Sequence, residues 1–309
     1  MKVLIEGKSR KAIVTIAIGD EFLRNFLEGE AIKSWKFYCQ KHGFWLIIFE
    51  NDLIEPTHPK WKKATWQKTL IGKQIKNKKL PIDDVCYMDT DFIISPIAKN
   101  IFNYYDSNKI GLVSLRNNLP YNYSNINRLI SWYRHHYYDS KYPLDSAIHI
   151  SLRDLYEQQN LTPVEDEACM GLILFNITNH SKTLENIFLK YDKNVYSLTG
   201  GGDQGHYNYE FQSLGIVQWL NYEWQAIWVN EMAFKYNFLY FKEDRDLIRL
   251  CINSSLKHVN FLHFAGSWHE SRMIDDFCWN QQGVEFDLKY LNYREDKSIT
   301  GLPKGVIKP

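Results

Sequence analysis

Residues 11–18, KAIVTIAI, form a β-branched apolar run that ends at Gly19 and predicts a buried strand. Apolar and aromatic side chains then recur every three or four residues, which predicts one amphipathic helix over 22–39 that stops at Gly43. FWLIIFE (44–50) is a second short apolar run of strand length. A β-α-β opening predicts a parallel sheet, because the crossover helix returns the second strand in the direction of the first.

The alternation of strands and helices continues beyond this opening. A helical pattern over 66–75 leads into VCYM (85–88), which predicts a third strand. The pattern over 96–105 predicts a helix and that over 110–115 a strand. CMGLILFN (169–176) is again a strand candidate. We therefore expect an α/β fold with a Rossmann-like, mostly parallel central sheet flanked by helices.

Residues 117–160 interrupt this alternation. The segment is rich in Tyr, Asn and His and shows no clean period, so it is predicted to be an insertion with its own short helices. No repeat or linker divides the chain. We expect a single domain over 1–280, followed by an irregular tail over 281–309.

Composition argues against several classes of protein. The 37 basic and 36 acidic residues nearly cancel, so no overall field attracts the chain to nucleic acid. The five cysteines are scattered without a CxxC pair, which predicts thiols in a reducing compartment. No apolar run approaches the roughly 18 residues of a membrane span, and charges interrupt the N-terminal apolar segment, so we expect a cytoplasmic protein.

The strand at 85–88 ends in the sequence Asp89-Thr90-Asp91. Side chains two residues apart in an extended segment point to one side, so the two aspartates can address one point while Thr90 faces away. Ligands of open α/β sheets bind beyond the carboxyl ends of the strands, where this pair stands. Carboxylate oxygens suit Mg²⁺ or Mn²⁺, which keep positions open for the oxygens of a diphosphate.

Two other interpretations of this pair must be weighed. Aspartates often occupy strand ends, so the pair is equally consistent with the polar end of a buried strand. A phosphatase loop with a nucleophilic first aspartate requires a small residue and a threonine after the second aspartate, whereas Phe92 and Ile93 follow here. The phosphatase interpretation is therefore disfavoured, and the pair alone leaves the other two open.

Three motifs follow this pair along the chain. CMGLILFN has Gly171 and Asn176 in register with the pattern N-A-G-V-L-L-I-N. GGGDQGHYN (200–208) matches D-Q-x-x-x-N, and HFAGSWH (263–269) matches the first part of H-F-x-G-x-x-K-P-W. In this order the motifs resemble the nucleotide-sugar glycosyltransferases of GT-A fold. The resemblance is greatest to glycosyltransferase family 8, the glycogenin-like and bacterial galactosyltransferase-like retaining enzymes.

The resemblance implies a division of the domain. Residues 11–116 would form the nucleotide-binding half that carries the DxD motif, and 161–280 the half that contacts the sugar and the acceptor. The aromatic-rich insertion would be the candidate acceptor region, since tyrosine and histidine offer ring faces and polar tips to a sugar. The same aromatic residues are equally consistent with the packing of a small subdomain.

The resemblance also implies the residues of the site. Asp89, Asp91 and His263 would hold Mn²⁺, or Mg²⁺, and a mixed nitrogen and oxygen ligand set favours Mn²⁺. Asp203 and Gln204 would be the catalytic residues on the sugar side. The donor contacts would come from Asp20, Phe22, Lys68 (or Lys73), Asp89, Asp91, Gly171 and Gly266.

Two residues depart from the family pattern. Cys169 replaces an asparagine that contacts the donor sugar, and His269 replaces a lysine that binds phosphate. These departures are the best evidence for an alternative, a non-catalytic carbohydrate-binding or scaffolding protein with a GT-A shell. The intact metal ligands argue against it, because a binding module gains nothing from a diphosphate site.

The expected function is transfer of a sugar from a nucleotide diphosphate sugar, in particular a UDP-hexose, to a hydroxyl of a glycan or glycolipid acceptor, with retention at the anomeric carbon. The amide of Gln204 is a feeble nucleophile, so front-face attack and a covalent intermediate both stay open. An inverting GT-A transferase with Asp203 as its base is a second alternative. The basic and aromatic C-terminal stretch is compatible with peripheral association at a membrane.

Overall fold

The structure, a computed structural model, describes residues 1–142 and 151–280. The described chain forms a seven-stranded sheet and a three-stranded sheet, with helices packed on the larger sheet. The strands are β1 (Lys2–Ile5), β2 (Lys11–Ile16), β3 (Trp45–Phe49), β4 (Asp84–Met88), β5 (Phe92–Ile94), β6 (Ile110–Val113), β7 (Leu172–Asn176), β8 (Val217–Leu220), β9 (Ala226–Ile227) and β10 (Phe261–His263). The α-helices are α1 (Asp20–Glu28), α2 (Ala31–His42), α3 (Ala64–Gln67), α4 (Ile71–Asn77), α5 (Tyr123–Tyr133), α6 (Leu152–Gln158), α7 (Ile177–Lys190), α8 (Tyr196–Thr199), α9 (Gln204–Ser213), α10 (Trp228–Lys235) and α11 (Arg245–Ser255).

The predicted α/β fold is confirmed, and the larger sheet has the order β1-β3-β2-β4-β7-β6-β8. Strand β2 pairs in parallel with β3 and with β4, as the β-α-β opening predicts. Strand β7 runs antiparallel to both β4 and β6, and β1 runs antiparallel to β3. With β6 and β8 parallel, the sheet is mixed, with three parallel and three antiparallel pairings, rather than mostly parallel.

Both faces of the larger sheet are buried, because alternate residues of each strand enter different cores. Ala12 and Val14 face one core, which contains residues of α4, α7 and α9, whereas Ile13 faces the other, which contains residues of α2. In strand β4, likewise, Tyr87 faces the first of these cores and Met88 faces the second. The central strands are therefore rigidly held up to their carboxyl ends, where the site lies.

The smaller sheet has the order β5-β10-β9 and was not predicted from the sequence. Its strands are two or three residues long, too short for a periodic pattern. It belongs to a third core that also contains residues of α5, α10 and α11. The chain crosses from the larger sheet to the smaller one between β4 and β5, through residues 89–91.

Two helix predictions were wrong in detail. The helix expected over 22–39 is two helices, because the chain breaks at Gly29, between α1 and α2, where the backbone is extended. The helix expected over 96–105 is a single 3₁₀ turn, Ile101–Tyr104. The Asn100 side chain accepts a hydrogen bond from the Phe102 N–H at the start of that turn and competes with a longer helix.

The insertion expected over 117–160 contains helical segments, as predicted. Helix α5 continues into a π-helical turn, Arg134–Tyr138, and α6 follows after the undescribed residues 143–150. The predicted tail at 281–309 lies outside the described residues. None of the helices within the described ranges combines the length and the apolar character that a membrane span requires.

Candidate functional site

The DTD segment is the crossover between the two sheets, and hydrogen bonds fix both of its ends. At the end of β4 the Asp89 N–H donates to the Gly171 carbonyl at 2.9 Å. At the start of β5 the Phe264 N–H donates to the Asp91 carbonyl, also at 2.9 Å. The backbone of this crossover therefore holds the two aspartates beyond the carboxyl end of β4. Thr90, expected to face away, lines the same cleft as the aspartates.

His263 reaches this crossover from β10. Its backbone pairs with Phe92 in the antiparallel register of β5 and β10, and the two rings stack with centroids 4.0 Å apart. This packing places His263 Nε2 3.1 Å from Asp91 Oδ1. The short strands of the second sheet thus bring together side chains that are far apart in the sequence.

Asp89, Asp91 and His263 can offer one ligand atom each within 4.8 Å of one another. Asp91 Oδ1 is buried and has no hydrogen-bond partner among the described residues, although His263 Nε2 lies 3.1 Å from it. A buried carboxylate oxygen without a donor is costly unless a cation neutralises it. These residues therefore fit a divalent cation with oxygen and nitrogen ligands.

The field around His263 is strongly negative. Burial by itself lowers the pKa of His263, but the Asp91 carboxylate and Cys169 raise it by more, so that the pKa rises to about 10. On the far side of the ring, Gln225 Nε2 lies 3.2 Å and Cys169 Sγ 3.8 Å from Nδ1. These two neighbours hold the imidazole with Nε2 toward the carboxylates. Nε2 can ligate a cation only in the neutral ring with the proton on Nδ1, where the Gln225 amide would then present its oxygen.

Gly171 makes room for this arrangement. A Cβ atom at this position would lie 2.5 Å from His263 Cε1 and 3.1 Å from Asp89 Oδ2. Any side chain would displace the imidazole or the carboxylate, so the role of Gly171 is steric. Asp89 Oδ1, in contrast, accepts a hydrogen bond from the Tyr87 hydroxyl, which leaves Oδ2 on the side of Gly171 and His263.

Lys68 lies behind the aspartates and is almost completely buried, at 2% exposure. Its ammonium group lies 3.1 Å from Asp203 Oδ2 and 4.0 Å from Asp89 Oδ1, and it donates to the Met170 carbonyl at 2.7 Å. Burial lowers the pKa of Lys68, but the two carboxylates raise it by more, so the lysine stays charged. Burial also raises the pKa of Asp203, the charge of Lys68 opposes that rise, and Asp89 adds to it.

Gln204 points to a different polar cluster. Its Nε2 donates to Glu167 Oε1 at 2.6 Å, while Glu167 Oε2 accepts from Arg116 Nε at 3.1 Å and from Nη2 at 3.0 Å. Because a carboxylate only accepts, the Gln204 amide must turn its nitrogen toward Glu167. The amide oxygen is then directed elsewhere. Asn208, the third residue of the motif, bonds both the N–H and the carbonyl of Ala168 and is structural.

A cleft of about 520 Å³ opens in front of Asp89 and Asp91. Phe22, 51% exposed, also lines it and extends into an adjoining cleft of about 350 Å³. Gly266, in the left-handed region at φ +91°, lines the same wall. The exposed Arg272 contributes the only arginine among the described residues that line the cleft. The opening is large enough for a nucleotide.

Some predicted residues lie apart from the cleft. Asp20 is exposed at the start of α1 and is absent from the described lining, unlike its neighbour Phe22. Lys73 forms an ion pair with Glu185 at 2.8 Å on the surface, so Lys68 is the better candidate of the two. His269 contacts Glu243 at 2.5 Å and packs near Tyr138, so it does not face the aspartates as a phosphate ligand would.

The sequence did not reveal several residues that shape the site. Tyr87, Glu167, Arg116, Gln225 and Arg272 lie in strands, loops or a 3₁₀ turn without a motif of their own. Only Tyr87 gave a signal, since it stands two residues before Asp89 and shares its side of the strand. The remaining four depend on contacts between distant segments.

Comparison with known proteins gives structural matches only. Neither a protein-family model nor a curated protein matches the sequence. A glycosyltransferase involved in the glycosylation of the major capsid of PBCV-1 matches with 10% identity and a TM-score of 0.48, over 86% of this chain and 98% of that one.

Two other solved structures that match are described as a galactosyltransferase and a glycosyltransferase. The galactosyltransferase LgtC in complex with donor and acceptor sugar analogues has 13% identity and a TM-score of 0.45, over 95% of this chain and 98% of that one. The glycosyltransferase GlyE of Streptococcus pneumoniae has 14% identity and a TM-score of 0.44, over 92% of this chain and 60% of that one. By their descriptions, these three solved structures are all sugar transferases.

Proposed function

We propose that the protein is a glycosyltransferase that uses a divalent cation to bind a nucleoside diphosphate sugar. The observation that carries this proposal is the convergence of Asp89, Asp91 and His263 on one point, with both aspartates lining the 520 Å³ cleft. Each of the three is supported from behind, by Tyr87, by the backbone of Phe264, and by Gln225. A merely polar strand end would not require such support.

The proposed ion is Mn²⁺, with Mg²⁺ as the alternative, because the ligand set mixes an imidazole nitrogen with carboxylate oxygens. When bound, it would neutralise the charge that develops on the departing diphosphate. The role of Asp89 and Asp91 is to present their oxygens at the cleft, and that of His263 is to present Nε2. Gly171 keeps the space between them free of a side chain.

The donor is proposed to be a UDP-sugar, and in particular a UDP-hexose, that lies along the cleft. Phe22 offers an exposed ring to the base or ribose. Arg272 supplies a cation on the same wall as Gly266 and takes the charge role that His269 cannot fill from beside Glu243. A guanidinium suits this role because its fork can hold phosphate oxygens in pairs. Asp20 would contact the donor only at the rim of the cleft.

The sugar would lie near Gln204, which follows the buried Lys68–Asp203 pair. Held by Glu167 through its nitrogen, the Gln204 amide directs its oxygen away from Glu167 and can stabilise positive charge on the anomeric carbon. Asp203 is buried and paired with Lys68 at 3.1 Å, which disfavours it as the base of an inverting reaction. Retention of configuration is therefore proposed.

The acceptor is proposed to be a hydroxyl of a glycan or glycolipid that approaches from the side of the insertion. In this arrangement residues 11–116 bind the nucleotide, 161–280 contact the sugar, and 117–160 meet the acceptor. A cytoplasmic enzyme that meets its acceptor at a membrane surface is compatible with this proposal. A non-catalytic carbohydrate-binding protein is the second candidate, favoured only by the departures at Cys169 and His269.

The proposal is tested with a panel of nucleotide sugars and Mn²⁺, by following release of the nucleoside diphosphate. We expect turnover of at least one sugar nucleotide, loss of that turnover in Asp91→Asn, and its retention in Asp275→Asn. Asp275 is a suitable control because it is an exposed carboxylate that lines the same cleft outside the three-residue cluster.

Two outcomes of that test would count against the proposal. Metal-independent turnover, or equal loss in both variants, would remove the cluster from the reaction. Nucleotide binding without turnover of any sugar nucleotide would favour the non-catalytic alternative. For an active sugar nucleotide, the configuration of the product at the anomeric carbon, measured by NMR, separates retention from inversion.

A further inference from the structure

Several aromatic side chains, most of them exposed, lie outside the cleft, and one of them follows a residue that lines it. We call this set the aromatic strip and define it by Trp132, Tyr137, Tyr142, Phe241 and Trp268. Four of these five side chains are between 43% and 61% exposed, and Tyr142 is half-buried. Trp268 directly follows Ser267, which lines the cleft with Asp89 and Asp91, so the strip begins at the edge of the proposed donor site.

The rings of the strip form two groups, and within each group the rings contact one another. The ring centroids of Trp268 and Tyr142 are 5.8 Å apart. The ring centroid of Tyr137 lies 5.4 Å from that of Phe241 and 6.0 Å from that of Trp132. Between these two groups is a pocket of about 490 Å³ that both Tyr142 and Tyr137 line. The strip therefore consists of two groups of rings on either side of a concave pocket.

The Trp268 ring of the strip packs against a buried ion pair. The Arg134 guanidinium lies 4.5 Å from the Trp268 ring centroid and donates two hydrogen bonds to the buried Glu270, at 2.8 and 3.0 Å. Arg134 is only 9% exposed, so one face of the indole rests on a rigid, charged support. Such an aromatic surface loses little conformational entropy when a ligand stacks on it.

From this geometry we propose that the aromatic strip binds an acceptor that is an oligosaccharide of several sugar units, with its reactive end at Trp268. This inference rests on the proposed function, which supplies the adjacent donor site. Sugar rings bind to aromatic faces through their apolar C–H faces and to polar side chains through their hydroxyls. Five rings in two groups, with a pocket between them, offer more aromatic surface than a single sugar can cover.

The middle of the strip has the polar groups that an oligosaccharide needs. Asp139 and Lys141 line the pocket beside the tyrosines. Tyr138 lines it as well, and its buried hydroxyl has no hydrogen-bond partner among the described residues. Asp139 balances Lys141, and His269, which also lines the pocket, is paired with Glu243. The pocket therefore has no cluster of basic residues, from which a membrane-binding surface draws its affinity. A concave, polar pocket between aromatic rings therefore favours saccharide over lipid.

The test measures binding of glucose, galactose and N-acetylglucosamine oligomers of one to six units to the full chain, by saturation-transfer NMR and tryptophan fluorescence. For at least one series we expect the dissociation constant to fall about tenfold or more from one unit to four, because each added unit gains a ring contact. Trp268→Ala and Trp132→Ala should each weaken the tetrasaccharide about fivefold.

The controls distinguish an effect on the strip from misfolding and from damage to the donor site. Trp219→Ala removes an exposed tryptophan of β8, outside the strip, and should leave binding unchanged. Trp268→Phe keeps a ring and should retain most of the affinity. Every variant should still bind UDP in the presence of Mn²⁺, as the proposed function predicts, which shows that it is folded and that the donor site is intact.

Several results would overturn the inference. These are equal affinity for one and for four units, unchanged binding in both alanine variants, or binding of no oligomer in the panel. Strip-dependent binding to vesicles of phosphatidylcholine and phosphatidylglycerol (3:1), without any oligomer binding, would identify a membrane surface instead. If UDP with Mn²⁺ binds while no oligomer does, only this inference fails; length-dependent oligomer binding without UDP binding contradicts the proposed function alone.

Discussion

The buried polar side chains around the two aspartates (Lys68, Asp203 and His263) and the rings of the aromatic strip are held in place by different means. Lys68, Asp203 and His263 are 2%, 7% and 1% exposed, and each is fixed by an ion pair, a ring stack or a backbone hydrogen bond. The rings of the strip are largely exposed and rest mainly on one another. Substitutions of the buried polar side chains should therefore disturb folding or metal binding, whereas those in the strip should change only affinity for a ligand.

The largest effect is expected from Lys68→Met, which would leave Asp203 buried without its cation. Loss of one partner of a buried ion pair costs about 3–5 kcal/mol in the free energy of unfolding. Urea denaturation measures this loss in the free energy of unfolding. The matched control is Lys73→Met, because the Lys73 pair with Glu185 is on the surface and should change stability by less than about 1 kcal/mol.

A double variant separates charge burial from packing. Lys68→Met with Asp203→Leu removes both charges and should recover much of the stability lost in the single variant. Equal stabilities of Lys68→Met and Lys73→Met would show that the buried pair does not organise this end of the sheet.

The next largest effect is expected from Gly171→Ala. Its Cβ atom would lie 2.5 Å from His263 Cε1, so the imidazole must move away from the aspartates. We expect Mn²⁺ affinity to fall about ten- to hundredfold, in the range seen when the supports of metal ligands are disturbed. Titration calorimetry with Mn²⁺ measures it. Gly202→Ala is the control, since its nearest contact would be the Thr199 carbonyl at 3.5 Å; equal affinities would contradict the steric role of Gly171.

A smaller effect on turnover is expected from Glu167, which holds the nitrogen of Gln204. Glu167→Leu should lower kcat about tenfold through loss of a charge-assisted hydrogen bond, with little change in the KM of the donor. Glu167→Gln still offers an oxygen to the Gln204 amide and should retain more activity. A rise in KM with unchanged kcat, or an equal loss in both variants, would show that Glu167 does not position Gln204.

The smallest effect is expected from Phe22→Ala. The ring is 51% exposed, so the free energy of unfolding should change by less than about 0.5 kcal/mol. Affinity for UDP should fall about threefold, through loss of one stacking surface. Phe234→Ala, at a ring that is 49% exposed and outside the described lining of the cleft, should change neither quantity. Identical UDP affinities in the two variants would exclude Phe22 from the donor site.

The parts of the fold that follow from local patterns were predictable from the sequence. The β-branched run of β2, the helix pattern after it and the run of β3 define a parallel β-α-β unit, which the pairing of β2 with β3 confirms. The smaller sheet was not predictable, because β9 has two residues and β5 and β10 have three each. The direction of β7 was not predictable either, since an apolar strand carries no sign of whether its neighbour is parallel.

The candidate site, like the fold, could be predicted from the sequence only in part. Asp89 and Asp91 follow from their spacing at the end of a strand, but His263 entered only through the resemblance of its motif to a family pattern. The chain order gave no indication that Lys68 would turn inward to Asp203, because a helical lysine is usually on the surface. The Glu167 contact with Gln204 joins two segments whose approach only the tertiary structure determines.

The most direct test of the central claim is titration calorimetry of UDP into the protein with and without Mn²⁺, repeated with Asp91→Asn. The account predicts binding to the wild-type protein only with Mn²⁺, and at least about a hundredfold weaker binding to the variant, since a ligand is lost rather than its support. UDP binding that is equally strong without metal, or unchanged in Asp91→Asn, would show that Asp89, Asp91 and His263 do not form a donor metal site.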